Sequence, residues 1–291
     1  MICDIRLRIG TDYPSAVGES SHLLRVRPRA GFGQSVEAAS LLIDPRPGEQ
    51  GRETDFFGNT VDRFRIDRAH DRLSIEMRAR VAVERTAPDL NLALPVGEVA
   101  RAAEASRDLA ALSPAHFLGS SRAVKLVPDV TAYAAARSGR RVSVGRACLD
   151  LATTIRNEFT YEEGFTDVTT DVAAAFALRR GVCQDFAHVM IAGLRGLGLP
   201  AAYASGYLKT DPPPGQPRIE GVDAMHAWVM AWLGPEIGWI GFDPTNGILA
   251  GEGHIIAAIG RDYADIAPMA GVVTTAGAQR SWHAVDVVPV D

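Results

Sequence analysis

The chain has 291 residues, 47% of them hydrophobic, and this length predicts about two globular domains. Its net charge is -5 and it has no long block of like charges, which argues against nucleic acid or anionic lipid as a partner. The opening residues lack the pattern of a secretion signal, and no uncharged apolar run is long enough to cross a membrane. We therefore expect a soluble cytoplasmic protein that binds neither nucleic acid nor a membrane.

The first 85 residues contain short runs in which apolar and polar residues alternate, such as IRLRI and LSIEMRARVAVE. Alternation is typical of strands that have one buried and one solvated face. The stretch FFGNTVDRFRI adds an Asn beside a Gly, which predicts a turn followed by a strand. We interpret residues 1–85 as an antiparallel β domain.

Residues 86–143 are richer in Ala, Leu and Arg, and we expect a helical connector whose short helices end at Pro114 and Pro128. From residue 144 to about 159, apolar residues recur at three- and four-residue steps, which predicts an amphipathic helix. Strand-like runs follow a second helix further on, so residues 144–291 are interpreted as an α+β domain.

The stretch RRGVCQDFAHVMIAGLRGLGLP predicts a helix whose first turn contains Cys183. Free N–H groups and the dipole at a helix amino terminus favour an anion, so a thiol there ionises more readily. The chain has three cysteines, an odd number that favours reduced thiols over a disulfide framework. We expect the other two, Cys3 and Cys148, to be buried packing residues.

Two strands predicted from HAWVMAWL and WIGFDPTN carry His226 and Asp243 at the same open end of a hairpin. A turn centred on Glu236 would place His226 opposite Asn246, whereas direct opposition to Asp243 needs an earlier turn or a bulge. The register stays open at this point. If the helix of Cys183 packs on this sheet, the three residues form a nucleophile, a base and an orienting carboxylate. Strand alternation places Trp228 on the face of His226, where it is a candidate wall of the cleft.

The segments GVCQDFAHVMIAGLRGLGLPAAYASGYL, DAMHAWVMAWL and GWIGFDPTNG resemble the three core motifs of the transglutaminase-like superfamily. HLLRVRP, DFFGNTVDRF and GRDYADIAPMAGV resemble flanking parts of a bacterial subgroup described as candidate cysteine proteases, which has its own amino-terminal β domain. The resemblance implies a papain-like core in which the cysteine helix packs on an antiparallel sheet. It also implies Cys183 as nucleophile, His226 as general base and then acid, and Asp243 as the carboxylate that holds the imidazole.

Such enzymes form a thioester from a peptide-type amide and pass the acyl group to water or to an amine, and the sequence leaves both acceptors open. The backbone N–H of Cys183 is the expected oxyanion donor, with the side chain of Tyr161 as a weaker candidate. We expect no cofactor and no metal, because the sequence has neither a calcium loop nor a pair of closely spaced zinc ligands. The alternative is a scaffold or peptide-binding protein with an idle cleft, and the oligomeric state stays open.

Overall fold

The computed structural model describes residues 1–139, 141–210, 224–274 and 277–290. The strands are β1 (Ile2–Val17), β2 (Ser20–Leu24), β3 (Gln34–Asp44), β4 (Glu49–Thr54), β5 (Thr60–Ile66), β6 (His70–Val83), β7 (Thr160–Tyr161), β8 (Arg180–Gly181), β9 (Ala201–Leu208), β10 (Ala224–Trp232), β11 (Trp239–Asp243), β12 (Ile248–Leu249), β13 (His254–Gly260), β14 (Met269–Val273) and β15 (Arg280–Val290). The α-helices are α1 (Val96–Glu104), α2 (Pro128–Ala135), α3 (Val144–Glu158), α4 (Val172–Leu178), α5 (Cys183–Gly196) and α6 (Tyr263–Ile266).

The amino-terminal region forms two antiparallel sheets, with strand orders β15-β1-β6-β3 and β14-β2-β5-β4. Alternate residues of β1, including Ile5 and Leu7, are buried in a core that β5 shares through Phe64 and Ile66. The two sheets therefore cover one apolar interior, as the alternating sequence predicts. The expectation of antiparallel β structure at the amino terminus is confirmed.

The last two strands join these sheets instead of the second half of the chain. β14 pairs with β2, and β15 pairs with β1 over a register from Ile2↔Val290 to Asp12↔Arg280. Alternation marks a segment as a strand but does not identify its partner, so the sequence alone assigned both strands to the carboxyl-terminal domain. The division of the chain at residues 85 and 143 stays a prediction.

The connector contains α1, α2 and two short 3₁₀ helices at Leu90–Leu92 and Pro114–Phe117. The expectation that Pro114 and Pro128 end helices is wrong, because each is the first residue of one. Proline suits that position, since its fixed φ is helical and the N–H that it lacks would have no partner there.

The second half of the chain is built on a five-stranded antiparallel sheet with the order β12-β11-β10-β9-β13. Helix α5 packs on one face of this sheet, where Val189 and Met190 share a core with Ala227 and Val229 of β10. This arrangement confirms the α+β class. The predicted loop at residues 210–221 lies almost wholly outside the described residues. In the described part of the chain, none of the helices is long and apolar enough to cross a membrane.

Candidate functional site

Cys183 is the first residue of α5 and is half-buried, whereas Cys3 and Cys148 are buried. The turn before it is fixed by Asp185, whose carboxylate accepts hydrogen bonds from the Val182 N–H at 2.8 Å and the Thr166 hydroxyl at 2.6 Å. Gly181 makes this possible, because its φ is +156° and a Cβ there would collide with that carboxylate. The local fold thus presents the thiol at a helix amino terminus, within reach of solvent.

His226 and Asp243 are joined by a hydrogen bond of 2.9 Å between Nε2 and Oδ2. The hairpin pairs Val229 with Phe242 and Trp232 with Trp239, which differs from both registers considered from the sequence. Continued by one residue, this register places Asp243 opposite Trp228. His226 therefore reaches the carboxylate along the diagonal, a distance that long side chains span.

The carboxylate of Asp243 is completely buried and accepts hydrogen bonds on both oxygens. Oδ2 accepts from His226, from His254 Nε2 at 3.1 Å and from Asn246 Nδ2 at 2.6 Å, while Oδ1 accepts from the backbone N–H of Thr245 and Asn246 at 2.8 and 3.1 Å. Burial raises the pKa of Asp243, but the hydrogen bonds from the two histidines outweigh burial and hold it well below its usual range. The group is therefore an ionised acceptor.

The imidazole of His226 lies between Asp243 and Cys183. Burial lowers the pKa of His226, but hydrogen bonds to Asp243 and Cys183, together with their negative charges, raise it to about 10. Since Nε2 bonds to Asp243, Nδ1 is the nitrogen left for the thiol. The site can thus hold an imidazolium beside the Cys183 sulfur at neutral pH.

Tyr161 lies next to Cys183 because β7 and β8 pair in parallel, with Tyr161 opposite Gly181. Its side chain is 47% exposed. Burial of the remainder and the negative charge of Cys183 raise the pKa of Tyr161 to about 12, so its hydroxyl remains a hydrogen-bond donor at neutral pH. Its assignment to the oxyanion stays a prediction.

Trp228 lies under the two histidines and has no exposed surface. Its ring stacks on His226 with centroids 6.1 Å apart and meets His254 edge-on at 5.3 Å. The ring also extends over β9 at Gly206, where a Cβ would come 2.9 Å from Cη2 of the indole. The indole therefore supports both imidazoles from the interior, and its assignment as a cleft wall stays a prediction.

The sequence analysis missed two neighbours of this site. His254 opens β13 and donates to Asp243, but its only sequence signal is a polar residue at the start of the apolar run HIIAAIG. Tyr203 is buried in β9, and its burial and the negative charge of Cys183 raise its pKa well above the usual value. His254 lies outside the three core motifs, and Tyr203 lies at the end of the first one without a pattern that marks it as a neighbour of the thiol, so only the fold brings them to the site.

His226, His254 and Asp243 together also offer the kinds of ligand atom that bind zinc. One atom from each of His226, Asp243 and His254 lies within 4.8 Å of the others, and imidazole nitrogen and carboxylate oxygen are common zinc ligands. In the present arrangement these same atoms are joined by hydrogen bonds. A divalent cation would have to replace those bonds.

Comparison with known proteins places the chain in a family. Residues 3–82 match the bacterial transglutaminase-like N-terminal region, and residues 132–244 match the transglutaminase-like superfamily. The protein Rv2569c of Mycobacterium tuberculosis is 37% identical over 271 residues, which is 91% of this chain and 85% of that protein. A protein-glutamine gamma-glutamyltransferase of Pseudomonas aeruginosa is 39% identical over 72 residues, 24% of this chain and 10% of that protein.

The fold has a counterpart among solved structures. A protein of Cytophaga hutchinsonii, named as a candidate cysteine protease, superposes with a TM-score of 0.73 at 23% identity and covers 100% of this chain and 91% of its own. At that identity the likeness concerns the fold, and it confirms the predicted papain-like core behind a β-rich amino terminus. The matched families, the relative of nearly equal length and the shared fold agree, and the chain belongs to the transglutaminase-like superfamily.

Proposed function

We propose that this protein is a thiol-dependent acyl transferase that acts on a peptide-type amide through Cys183, His226 and Asp243. The observation that carries the proposal is a half-buried thiol at a helix amino terminus beside an imidazole that is bonded to an ionised carboxylate. A nucleophile, a base and an orienting group in this relation are the requirements of covalent acyl transfer. The short match to a protein-glutamine gamma-glutamyltransferase supports the same class of reaction.

In the first half of the reaction the thiolate of Cys183 attacks the amide carbonyl, and the π electrons move to oxygen. The backbone N–H of Cys183 is the first donor to this oxyanion, since the first residue of a helix has no intrahelical acceptor. The hydroxyl of Tyr161 is the second donor. His226 then gives its proton to the leaving nitrogen, the carbon–nitrogen bond breaks, and a thioester and a free amine or ammonia remain.

In the second half His226 is neutral and takes a proton from the attacking acceptor. Water gives a free acid and an amine gives a new amide, and in both cases the thiolate leaves and the imidazolium is restored. Asp243 holds the ring in one orientation through Nε2 throughout. The substrate is a peptide or protein amide, and hydrolysis is the outcome whenever no amine occupies the cleft.

The test uses p-nitrophenyl acetate, whose attack by a thiolate gives an acetyl thioester and releases p-nitrophenolate. Peptide mass spectrometry should find the acetyl group on Cys183 and not on Cys3 or Cys148, which are buried internal controls. Cys183→Ala should abolish the release of p-nitrophenolate at an unchanged melting temperature. Full release by Cys183→Ala would overturn the proposal.

A second assay separates the two acceptors. N,N-dimethylcasein is incubated with monodansylcadaverine, and incorporation of the fluorescent amine reports transamidation. Release of ammonia, or of new amino termini by cleavage of the casein chain, without incorporation reports hydrolysis. If p-nitrophenyl acetate acylates Cys183 but casein is unchanged, the protein is a thiol enzyme whose substrate is a different amide. No acylation with any probe would favour the scaffold or peptide-binding alternative.

The zinc-type donor set around Asp243 calls for a control with a chelator. Dialysis against 1,10-phenanthroline should leave the acylation rate of Cys183 unchanged, because the thiol reaction has no step that needs a metal. Loss of the rate on dialysis and its return with Zn²⁺ would instead indicate a metal held by His226, Asp243 and His254. The cytoplasmic location and the lack of a nucleic-acid or membrane partner stay predictions.

A further inference from the structure

Side chains from the amino-terminal region form hydrogen bonds with the β13 edge of the five-stranded sheet. Strand β13 is an edge strand of the five-stranded sheet, and among the described residues no further strand pairs with its outward N–H and C=O groups. Gln34 takes the place of a neighbouring strand at Ile256. Its side-chain amide donates to the Ile256 carbonyl at 2.8 Å and accepts from the Ile256 N–H at 2.9 Å. Asn59 does the same at Ile259, with two bonds of 2.8 Å. The two amides act as short substitutes for a paired strand.

Arg85 adds hydrogen bonds at His254, the first residue of β13. Its guanidinium donates to the carbonyl of Gly251 at 2.8 Å, to the carbonyl of His254, and to Oε1 of Gln34 at 2.8 Å. Arg85 follows the last residues of β6, so the same amino-terminal sheet supplies it. The loop that leads into β13 and the backbone of His254 are thereby fixed to that sheet.

The side chain of His254 connects this strand to Asp243. Asp243 belongs to β11, and two other strands separate β11 from β13 in the sheet. His254 spans the distance over the indole of Trp228, and its Nε2 lies 3.1 Å from Oδ2 of the carboxylate. Because this oxygen also accepts from His226, the donor from His254 restricts how the carboxylate can turn.

We propose that His254 is a positioning residue for the reacting pair and that Gln34 and Arg85, from the amino-terminal region, hold it in place. This inference rests on the function proposed above and assigns a role in that reaction to the β-rich region. The contacts that position the reacting pair form a path from Gln34 and Arg85 to His254, and then through Asp243 to His226 and the thiol. In this path Gln34 and Arg85 act through His254 and Asp243, not by contact with the thiol.

The test compares His254→Phe, which removes the donor but keeps a planar ring, with His254→Gln, whose amide nitrogen can occupy the place of Nε2. The readouts are the rate of iodoacetamide alkylation at Cys183 and the kcat and KM for p-nitrophenyl acetate. His254→Phe should lower the alkylation rate and kcat about 10-fold or more with KM little changed, since a small misplacement of a reacting group is costly. His254→Gln should restore both toward wild type. Equal rates in the two variants would overturn the role of His254.

A matched pair of variants tests the amino-terminal part of the path. Gln34→Leu removes the amide clamp two residues from His254, while Asn59→Leu removes the similar clamp five residues away, at Ile259. Gln34→Leu should slow alkylation of Cys183 and add nothing further in the His254→Phe background, because both act through the same contact. Asn59→Leu should lower the melting temperature with little effect on the rate. Equal effects of both clamps on the rate would overturn the proposed path.

The alkylation rate of Cys183 distinguishes failure of this inference from failure of the proposed function. If acyl transfer survives Cys183→Ala, the proposed function fails and the positioning role in it fails too. If Cys183→Ala abolishes acyl transfer but Cys183 is alkylated equally fast with Phe or His at position 254, only the positioning role fails. Should His254→Phe not fold, Gln34→Leu and His254→Gln still give the comparison.

Discussion

Replacement of Asp243 by Asn should uncouple the imidazole from the thiol while keeping the shape of the site. In the folded protein the pKa of His226 is raised from 6.5 to about 10, with Asp243 first among the groups that raise it. One pKa unit corresponds to about 1.4 kcal/mol, so after the opposing effect of burial the hydrogen bonds and charges of Asp243 and Cys183 leave a net preference for the imidazolium of about 5 kcal/mol. Without the negative charge of Asp243, the opposing effect of burial should lower the pKa of His226 from its wild-type value.

The assay is the rate of iodoacetamide alkylation at Cys183 across pH, read by peptide mass spectrometry. Wild type should react faster at neutral pH than the Asp243→Asn variant, because an imidazolium beside the sulfur favours the attacking anion. In Asp243→Asn the rate near pH 6 should fall at least about 10-fold, which corresponds to the loss of one pKa unit of that stabilisation. Nitrogen chemical shifts of the His226 ring should show the lower titration directly.

Stability gives an independent measure with a defined sign. A histidine whose pKa is raised on folding stabilises the protein fully below 6.5, and this contribution is lost as pH rises through about 10. The free energy of unfolding of wild type should thus fall across that window, and the fall should be smaller in Asp243→Asn. Asp62→Asn is the control, because Asp62 is a buried carboxylate that pairs with Arg27 in the amino-terminal sheets. An Asp243→Asn alkylation profile that coincides with wild type would refute the reasoning.

Two further expectations concern the interior around the site. Gly206→Ala should lower the free energy of unfolding by about 1 to 3 kcal/mol and reduce alkylation of Cys183, because the new methyl group would collide with the Ile255 carbonyl and the Trp228 indole. Gly253→Ala, where the nearest atom is 3.8 Å away, should be tolerated, and equal unfolding midpoints for the two variants would contradict this. Burial lowers the pKa of His188 from 6.5 to about 4, so wild type should lose about 3 kcal/mol as pH falls through that window. His188→Gln should remove this loss in acid titrations followed by urea unfolding, and an unchanged acid profile would disprove it.

The helix and the hairpin that carry the candidate residues could be predicted because their patterns are local. The 3.6-residue period with a Gly and Pro stop predicts a helix near Cys183, and the structure begins it at that residue. Alternating runs separated by a turn predict β10 and β11. These patterns place His226 and Asp243 at one open end without any knowledge of the remaining chain.

The features that depend on contacts between distant segments could not be predicted from the sequence. The register of the hairpin depends on its turn at Leu233–Gly238, which the sequence locates only to within a residue. His254 approaches Asp243 because β13 is clamped by Gln34 and crosses an indole, and none of these contacts has a sequence period. Likewise, alternation identifies β15 as a strand but cannot indicate that its partner is β1.

The pairing of β15 with β1 has a consequence for the order in which the protein is made. In the sheet order β15-β1-β6-β3, residues 280–290 cover one edge of β1 from Ile2 to Asp12. During synthesis β1 and β6 leave the ribosome long before β15, so for most of translation β1 presents an open strand edge with alternate apolar side chains. Such an edge invites pairing with another nascent chain. We expect the nascent protein to depend on chaperone protection until β15 is released.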